Sequence, residues 1–423
     1  MGNHPDLLVL TINYFPEPTG FAPHVTAFCE SMARSGKKVT VLTGFPFAPR
    51  WERWAEYRGR FFSLETRAGV QIVRNTHFIP RSPRRLGQRI LMESSFCISV
   101  LLALVRLRLR AKVLIYVGAQ PSIAMLCRMI AALTGARYGV MINDLATGAA
   151  NDVGILKAGW VKQCLHQFEY SAYRKAAGAV VLCEGFKRAL VAERYPADRI
   201  WIVRSPVDIH LIKPLTAGGG TAFRHDCGLK PTDFVVLFAG SMGLKQGLEN
   251  VVEAAQILSS ENKQFKWLLV GDGETRIEIG RKIEQLFLAD FIKLIPFQPE
   301  ANMSDMFAAA DILLLNQLSA VKDTVIPSKL LTYMSAGRPV LAAVNAASQG
   351  AELLLEAGGG RVIPPENPAA LALAVKAMST EPERLLKMGR ANRAFAVDNF
   401  DQNKIMKQLE NFVLHISPPP SAV

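Results

Sequence analysis

The sequence lacks the short motifs that mark several common classes of protein. Its six cysteines are scattered and form no C-x-x-C pair, which argues against a disulfide framework or a zinc site and for reduced thiols in a cytoplasm. No G-x-G-x-x-G follows a predicted strand, which makes a nicotinamide or flavin site improbable. No G-x-x-x-x-G-K-[ST] occurs, which disfavours an ordinary P-loop ATPase.

Long apolar runs are also missing. The uncharged part of one helical pattern, Ser94 to Val105, is shorter than the roughly 20 residues needed to span a bilayer, so we expect no transmembrane helix there. Met1 to Asp6 is polar, and Leu7 to Ile12 is short enough to be a buried strand. We therefore expect no secretory signal at the start of the chain.

Length and charge set the broad class. A chain of 423 residues with 50% hydrophobic content can form two domains, each with a substantial core. Of the net charge of +13, residues 1–205 carry +15 and residues 206–423 carry −2. Nucleic acid, an anionic membrane surface or a phosphorylated substrate could each explain a basic N-terminal half.

Two series of apolar runs alternate with helical patterns, which indicates α/β domains with parallel sheets and helices on both faces. A stretch of linker composition, Ser205–Gly228, separates the two series. We predict a first domain over 1–205, a second over 206–399, and a helix over 400–416 that crosses back to the first. The predicted strands are Leu7–Ile12, Val39–Thr43, Val113–Val117, Tyr138–Ile142, Ala179–Leu182, Phe234–Ala239, Trp267–Gly271, Ile292–Pro296, Ile312–Leu315 and Pro339–Ala342.

Two candidate site residues follow strands of the first series. The first strand leads into a loop that ends at Gly20, where a glycine would allow backbone to approach a ligand, although a simple tight turn fits as well. Asp144 follows the strand that ends at Ile142. An acid at this edge is a candidate for the reacting centre, or it caps a turn.

Between these loops, the segment Gly44–Phe62 interleaves aromatic and arginine side chains. Such a segment could bind nucleic-acid bases, sit at a membrane interface, hold a pyrophosphate, or form a lid packed on its own domain. Its members are Phe45, Phe47, Trp51, Trp54, Tyr57, Phe61 and Phe62 with Arg50, Arg53, Arg58 and Arg60.

A second basic region leads into a helical pattern over Ile90–Arg110. Arg81, Arg84, Arg85 and Arg89 precede or open it. Phe96, Val100, Leu104 and Leu107 form one apolar strip, and Ser95, Ser99, Arg106 and Arg110 form another strip. The apolar strip could lie in a membrane surface or pack on the sheet.

The segment Ile326–Ala342 predicts a helix that begins at Pro327, stops at Gly337 and leads into a buried strand. The free N–H groups of Ser328, Lys329 and Leu330 would then point out of the helix start, beside an ammonium group. Such an arrangement suits a phosphate. An ordinary core helix with one exposed lysine is the alternative interpretation.

A second lysine occupies a comparable place. The strand that ends at Ala239 leads into Gly240–Gly247, which carries Ser241 and Lys245. A further strand-to-helix turn holds Gly271 and Gly273. Lys245 and Lys329 come from two loops of one domain and could neutralise one diphosphate.

These stretches resemble glycosyltransferase family 4, the retaining enzymes of the GT-B fold, and most of all the bacterial exopolysaccharide branch that includes colanic-acid-type glycosyltransferases. The resemblance implies two Rossmann-like, doubly wound domains that face a cleft, with the acceptor on the first and the sugar nucleotide on the second. It implies that Lys245 and Lys329 hold the donor diphosphate with Gly240, Ser241, Gly273 and Ser328, and that Gly20 approaches the phosphates from across the cleft. The loop around Phe297 would hold the base.

The chain departs from this family at two places. Relatives commonly carry an E-x7-E pair whose second glutamate contacts the ribose, and the corresponding positions here are Thr324 and Thr332. Many relatives place arginine where this chain has Ser241. The resemblance implies transfer with retention, with Asp144, Lys245 and Lys329 as the catalytic set, and without a metal or other cofactor. The absence of D-x-D agrees with metal independence.

The leading hypothesis is a hexosyl- or deoxyhexosyltransferase that acts on a lipid-linked saccharide for a surface polysaccharide. We expect it to be peripheral on the cytoplasmic face of the membrane, held through its basic N-terminal domain, and to bind no nucleic acid. A sugar-nucleotide epimerase of the same fold is one alternative. A catalytically inactive membrane-associated scaffold is the other.

Overall fold

The structure is a computed structural model that describes residues 4–18, 20–48, 50–82, 85–144, 159–215, 218–261, 264–321 and 326–418. The chain divides into two compact units. The first comprises Met1–Arg204 together with Ile405–Val423, and the second comprises Ser205–Lys404.

The first unit is built on an eight-stranded sheet of order β3-β4-β2-β1-β5-β6-β7-β8. Every pairing is parallel except the β3–β4 pairing, which is antiparallel. Its inner strands are buried along nearly their whole length, as expected for a sheet covered on both faces. The strands are β1 (Leu7–Leu10), β2 (Val39–Gly44), β3 (Phe62–Arg67), β4 (Val70–Asn75), β5 (Val113–Gly118), β6 (Arg137–Ile142), β7 (Gly178–Val181) and β8 (Ile200–Ile202).

Six helices among the described residues belong wholly or mainly to this unit, and the last of them comes from the C-terminal end of the chain. Its Phe412 and Ile416 lie over two glycines of neighbouring strands. A Cβ at Gly139 would be 2.7 Å from Ile416 Cδ1, and one at Gly178 would be 2.8 Å from Phe412 Cε2. Because these two glycines have no side chain, they leave room for this helix to pack on the sheet. The helices are α1 (Ala22–Arg34), α2 (Leu86–Leu107), α3 (Pro121–Thr134), α4 (Gly159–Arg174), α5 (Glu184–Ala192) and α14 (Gln402–Ile416).

The second unit has a six-stranded, fully parallel sheet of order β11-β10-β9-β12-β13-β14. This is the doubly wound order in which the chain reverses direction across the sheet between its first and fourth strands, here β9 and β12. Separate apolar clusters cover the two faces: Val235 and Leu237 belong to one, Val236 and Phe238 to the other. The strands are β9 (Phe234–Ala239), β10 (Phe265–Val270), β11 (Ile292–Ile295), β12 (Ile312–Asn316), β13 (Val340–Ala343) and β14 (Gly360–Ile363).

The helices described in this unit precede, connect and follow the strands. They are α6 (Thr221–Asp226), α7 (Glu249–Glu261), α8 (Arg276–Gln285), α9 (Met303–Ala308), α10 (Ser328–Ser335), α11 (Gln349–Glu356), α12 (Pro368–Ser379) and α13 (Pro382–Asn399).

All ten predicted strands exist, with ends that move by one or two residues. The expectation that apolar runs alone mark the strands was incomplete. It missed the hairpin β3–β4, because the exposed edge strand β3 alternates polar and apolar residues and includes Glu65 and Arg67. It also missed the short edge strands β8 and β14.

The aromatic and arginine segment 44–62 packs largely on its own unit. Phe45 and Phe47 are buried, and the Arg53 guanidinium lies 4.8 Å from the centroid of the Phe45 ring. The buried carboxylate of Glu17 accepts hydrogen bonds from the N–H groups of Phe47 (2.7 Å) and Ala48 (2.8 Å). Of the four interpretations of this segment, packing on its own domain agrees best with these contacts.

Helix α2 is longer than expected. It runs over 22 residues and is long and apolar enough to cross a membrane by length and composition, so the estimate from the uncharged part alone was too short. Of the two interpretations of its predicted apolar strip, packing on the protein agrees with the structure, because Phe96 and Val100 are buried. Ser95 and Ser99 also face the protein: Ser95 Oγ accepts from the N–H of Phe78 at 2.9 Å, and Ser99 Oγ donates to the Thr76 carbonyl at 2.6 Å.

A buried histidine lies where α2 meets the sheet. The His77 ring packs edge-on against Phe47 and Phe96, with centroid distances of 5.3 and 6.1 Å, and its Nε2 has no hydrogen-bond partner among the described residues. Burial, with a smaller contribution from the Arg53 charge, lowers the pKa of His77 from 6.5 to about 4. The imidazole is therefore neutral in the folded protein over most of the range in which an unfolded chain protonates.

This predicts a pH-dependent stability. Below pH 6.5 the unfolded chain takes up a proton at His77 that the folded chain accepts only near pH 4. The free energy of unfolding should therefore fall as the pH falls through this window, by at most about 3 kcal/mol for this residue. His77→Phe should flatten that slope in urea unfolding measured across the window. His210→Gln, at an exposed position, is the control. Equal slopes in wild type and His77→Phe would contradict the prediction.

Candidate functional site in the second unit

A cavity of about 460 Å³ opens at the carboxyl edge of the second sheet. It lies where β9 and β12 end, at the reversal of strand order, which is the usual ligand position in open α/β sheets. Its volume is in the range of small-molecule sites. It is lined by Ala239, Gly240, Ser241, Lys245, Gln246, Val270, Phe297, Gln298, Met303, Met306, Phe307, Gln317, Ile326, Pro327, Ser328, Lys329, Thr332 and Tyr333.

Lys329, in the first turn of α10, contacts two neutral groups. Its Nζ donates to Gln246 Oε1 at 2.7 Å and lies 4.0 Å from the centroid of the Phe238 ring. Gly240 has a φ of 132°, and a Cβ at this position would be 3.4 Å from Lys329 Cε. The glycine therefore allows the turn after β9 to pass close beside the lysine side chain.

Lys245 lies in a 3₁₀ turn, Leu244–Gln246, that the end of β12 anchors. Asn316 Nδ2 donates to the carbonyls of Gln246 (2.7 Å) and Gly247 (2.9 Å), and its Oδ1 accepts from Asn250 Nδ2 at 2.8 Å. The N–H of Leu318 donates to the Lys245 carbonyl at 3.0 Å. These bonds fix the backbone of the turn and leave the Lys245 side chain exposed at the rim of the cavity.

The charged side chains among the described lining residues of the cavity are all positive. Among its described lining residues, two are lysines, three are glutamines and none is Asp or Glu. An anion that enters the cavity therefore meets two lysine side chains. Phe297, with 72% of its surface exposed, adds an aromatic face at the rim that a planar ring could stack on.

Helix α10 is tied to β9 by a buried phenol. Tyr333 Oη accepts from the N–H of Ala239 at 2.8 Å and donates to the carbonyl of the same residue at 3.0 Å. Burial raises the pKa of Tyr333 well above its ordinary value, so the phenol keeps its proton and both bonds persist. The start of α10 is thereby held beside the turn that carries Gly240 and Ser241.

The predicted helix start needs one correction. The helix spans Ser328–Ser335 and Pro327 is its N-cap, but the N–H of Leu330 donates to the Pro327 carbonyl at 2.9 Å. Leu330 therefore does not contribute a free donor, as we had expected. Ser328 and Thr332 line the cavity, and Thr332 Oγ1 donates to the Ser328 carbonyl at 3.2 Å.

Comparison with known proteins decides the family. Residues 19–205 match the family described as glycosyl transferase 4-like domain, and residues 221–395 match that described as glycosyl transferases group 1. The chain therefore belongs to the glycosyltransferases, with a glycosyl transferase 4-like domain followed by a group 1 domain.

Individual relatives and a solved structure agree with this assignment. A glycosyl transferase of Escherichia coli named for colanic acid biosynthesis, WcaI, is 26% identical over 411 residues, which cover 96% of this chain and 98% of that protein. The amylovoran biosynthesis glycosyltransferase AmsK of Erwinia amylovora is 28% identical over 41% of this chain and 43% of its own. The structure of HepE from Anabaena in complex with UDP superposes with a TM-score of 0.70 at 14% identity, over 97% of this chain and 99% of that one. The predicted GT-B fold and the predicted family are confirmed, and nothing in these similarities favours an epimerase or a scaffold.

The structure of this glycosyltransferase brings most of the predicted donor residues together. Lys245, Lys329, Gly240, Ser241, Phe297, Ser328 and Thr332 all line the one cavity. Gly273 is not among the described lining residues. It has a φ of 155°, and a Cβ there would be 2.5 Å from the Met242 carbonyl oxygen, so close packing of two backbone turns explains this glycine.

Two predicted residues lie in the first unit. Gly20 has a φ of 65°, and a Cβ there would meet nothing within 4 Å, so its backbone conformation and not crowding favours glycine. Asp144 follows β6, next to Asn143, whose N–H donates to the Gly118 carbonyl at 3.2 Å. Thr324 and Arg84, also singled out in the sequence, lie outside the described residues.

Two amide side chains of the cavity were not predicted from the sequence. Gln246 and Gln317 are both buried and both line the cavity, yet no motif pointed to either. Gln317 directly follows β12, so its place at a strand end was the available signal. Within the described residues, no three His, Cys, Asp or Glu side chains are grouped so that they could hold a metal ion.

A substitution at Gln246 tests whether the positive charge of the cavity binds anions. Gln246→Glu would place a carboxylate where the Gln246 amide oxygen now lies, 2.7 Å from Lys329 Nζ. It should weaken the binding of inorganic pyrophosphate about tenfold or more, because the new carboxylate both pairs with the lysine and repels the anion. Gln246→Met, which is neutral and of similar length, should lose much less. Calorimetric titration at low and high salt measures both. Equal affinities for the two variants at low salt would refute the electrostatic account.

Proposed function

We propose that this glycosyltransferase moves a sugar from a nucleoside-diphosphate donor to a lipid-linked saccharide during exopolysaccharide synthesis. The observation that carries the proposal is the cavity of the second unit, with Lys245 and Lys329 at one site and no carboxylate among its described lining residues. The UDP bound by HepE and the biosynthetic names of WcaI and AmsK support the donor and the product class.

The arrangement suits a diphosphate at the lysines and a base near the rim. Lys329, the start of α10 and the Ser241 turn all line the cavity where β9 and β12 end. Charge-assisted hydrogen bonds from lysine are among the stronger contacts that a phosphate can make. Phe297 would stack on the base from the loop that follows β11.

The chemistry that we propose is transfer with retention and without a metal. As the bond between the sugar and the diphosphate breaks, negative charge grows on the leaving diphosphate, and two fixed ammonium groups stabilise that charge. The donor phosphate itself would help to deprotonate the acceptor hydroxyl. Asp144, from the first unit, would contact the acceptor or the transferred sugar.

We also propose that the enzyme works at the cytoplasmic face of the membrane, as a peripheral protein. The lipid-linked acceptor places the substrate at that surface, and the +15 charge of residues 1–205 supports attraction to anionic lipid. No nucleic-acid partner is proposed, because the aromatic side chains Phe45 and Phe47, which could have stacked on bases, are buried.

The donor assignment predicts the effect of two substitutions. Lys245→Ala and Lys329→Met should each weaken UDP binding tenfold or more, because a charge-assisted contact to phosphate contributes about 1.5–3 kcal/mol. Methionine at position 329 keeps the packing on Phe238. Lys387→Ala, an exposed lysine of α13, is the matched control and should bind UDP like wild type. Wild-type affinity in both site variants, measured by calorimetry, would overturn the assignment of the cavity.

The assignment of Asp144 predicts a separation of turnover from binding. Asp144→Asn should lower kcat by a large factor and leave the affinity for UDP nearly unchanged, because the residue is placed on the acceptor side. Asp198→Asn, at an exposed position of the same unit, is the control.

Activity of the wild type should survive EDTA. A strict requirement for added magnesium would contradict the metal-independent chemistry.

A further inference from the structure

The outward side of α2 is an apolar stripe that none of the described residues of its unit covers. Leu91, Ile98, Leu101, Leu102 and Val105 recur at helical spacing and are 39–77% exposed. Ser94, also exposed, is the one polar residue that interrupts this stripe. A water-facing helix normally presents charged and polar residues there, so α2 has the reverse of the usual pattern.

The opposite side of α2 is fixed to the unit. Met92, Phe96, Val100 and Ala103 are at most 3% exposed. The hydrogen bonds that Ser95 and Ser99 form with the segment after β4 add polar contacts on the same side. A helix that crossed a bilayer would have to leave these contacts and take buried side chains out of the core. The geometry therefore favours a helix that lies flat on a surface.

The charges around α2 have one sign. The only carboxylate of the helix, Glu93, is turned towards α3, where Ser122 donates hydrogen bonds to it from its side chain and its backbone. The exposed arginines flank the helix at both ends: Arg81 and Arg85 at the start, Arg108 and Arg110 at the end. An apolar stripe between basic ends complements a lipid surface with anionic headgroups over hydrocarbon.

We propose that the outward stripe of α2, namely Leu91, Ile98, Leu101, Leu102 and Val105, lies in the headgroup region of an anionic bilayer and docks the first unit on the membrane. This rests on the proposed function only in that a lipid-linked acceptor would place the enzyme there. This stripe lies on the opposite side of α2 from the strip of Phe96 and Val100 that the sequence singled out. The flanking arginines supply attraction that depends on salt, and the stripe supplies attachment that does not.

The test uses the full chain and vesicles of equal parts phosphatidylglycerol and phosphatidylcholine. The triple variant Ile98→Gln, Leu102→Gln and Val105→Gln should lower the partition coefficient about tenfold or more in co-sedimentation, at low and at high salt alike. Arg81→Gln, Arg85→Gln and Arg110→Gln together should weaken binding at low salt and remove the preference for phosphatidylglycerol. A matched control, Ile277→Gln, Leu355→Gln and Leu373→Gln, changes equally exposed apolar residues of the second unit and should bind like wild type.

Three results would overturn the proposal. One is unchanged vesicle binding by the stripe variant. Another is retention of the wild type on vesicles after washing with alkaline carbonate, which would mean that α2 spans the bilayer. The third is a lipid-free dimer that only the stripe variant converts to monomer, without vesicle binding by wild type, which would make the stripe an interface between copies.

Donor binding keeps this proposal separate from the proposed function. The stripe variant should have the unfolding temperature and the UDP affinity of the wild type, because its residues lie in the first unit and the cavity lies in the second. Normal UDP binding with no vesicle binding by wild type would remove the docking surface and leave the transferase. Vesicle binding by the wild type without UDP binding would leave the docking surface and remove the assignment of the donor cavity.

Discussion

The buried amide of Asn316 is the interaction on which the site of the second unit depends. Asn316 is the last residue of β12, and its Nδ2 donates hydrogen bonds to the carbonyls of Gln246 and Gly247. These bonds place the Lys245 turn beside the end of the sheet. The Gln246 side chain then reaches Lys329. One strand end thus fixes two lysines that are 84 positions apart in the sequence. The two side chains that carry these contacts, Asn316 and Gln246, are neutral amides, so they position the lysines without adding a carboxylate to the site.

The fold could be predicted because its strands are buried on both faces. In such strands every residue is apolar, so Phe234–Ala239 stands out in the sequence as a continuous run. The hairpin β3–β4 could not be found in that way, because β3 is an edge strand whose side chains face water on one side. The orientation of α2 could not be predicted for another reason. Two of its sides are apolar, and a helical wheel contains no information on which of them meets the sheet.

The site was predictable in its cations and not in its amides. Lys245 and Lys329 each follow a glycine or proline signal at a strand or helix end, and such positions converge at one edge of a parallel sheet. Gln246 and Gln317 carry no charge and belong to no spacing rule, so only the packed structure shows that they complete the cavity wall. Gly273 was placed in the site because it stands in a similar turn, whereas its contact with Met242 gives it a structural role.

The positive charge of the first unit divides into an internal and an external part. Arg74 is fully buried, pairs with Glu65 at 2.9 Å, and donates to the Phe15 carbonyl at 2.8 Å, so it stabilises the loop that leads to Gly20. Arg67 pairs with Glu30 and lies 3.7 Å from the centroid of the Phe15 ring. Both arginines are paired within the unit, and a count of charges along the sequence cannot separate them from the arginines that flank α2. The arginines that flank α2 are exposed and surround an apolar stripe instead. The basic excess therefore divides into arginines that are paired within the unit, where they help to shape the loop that leads to Gly20, and arginines that are exposed at the ends of α2.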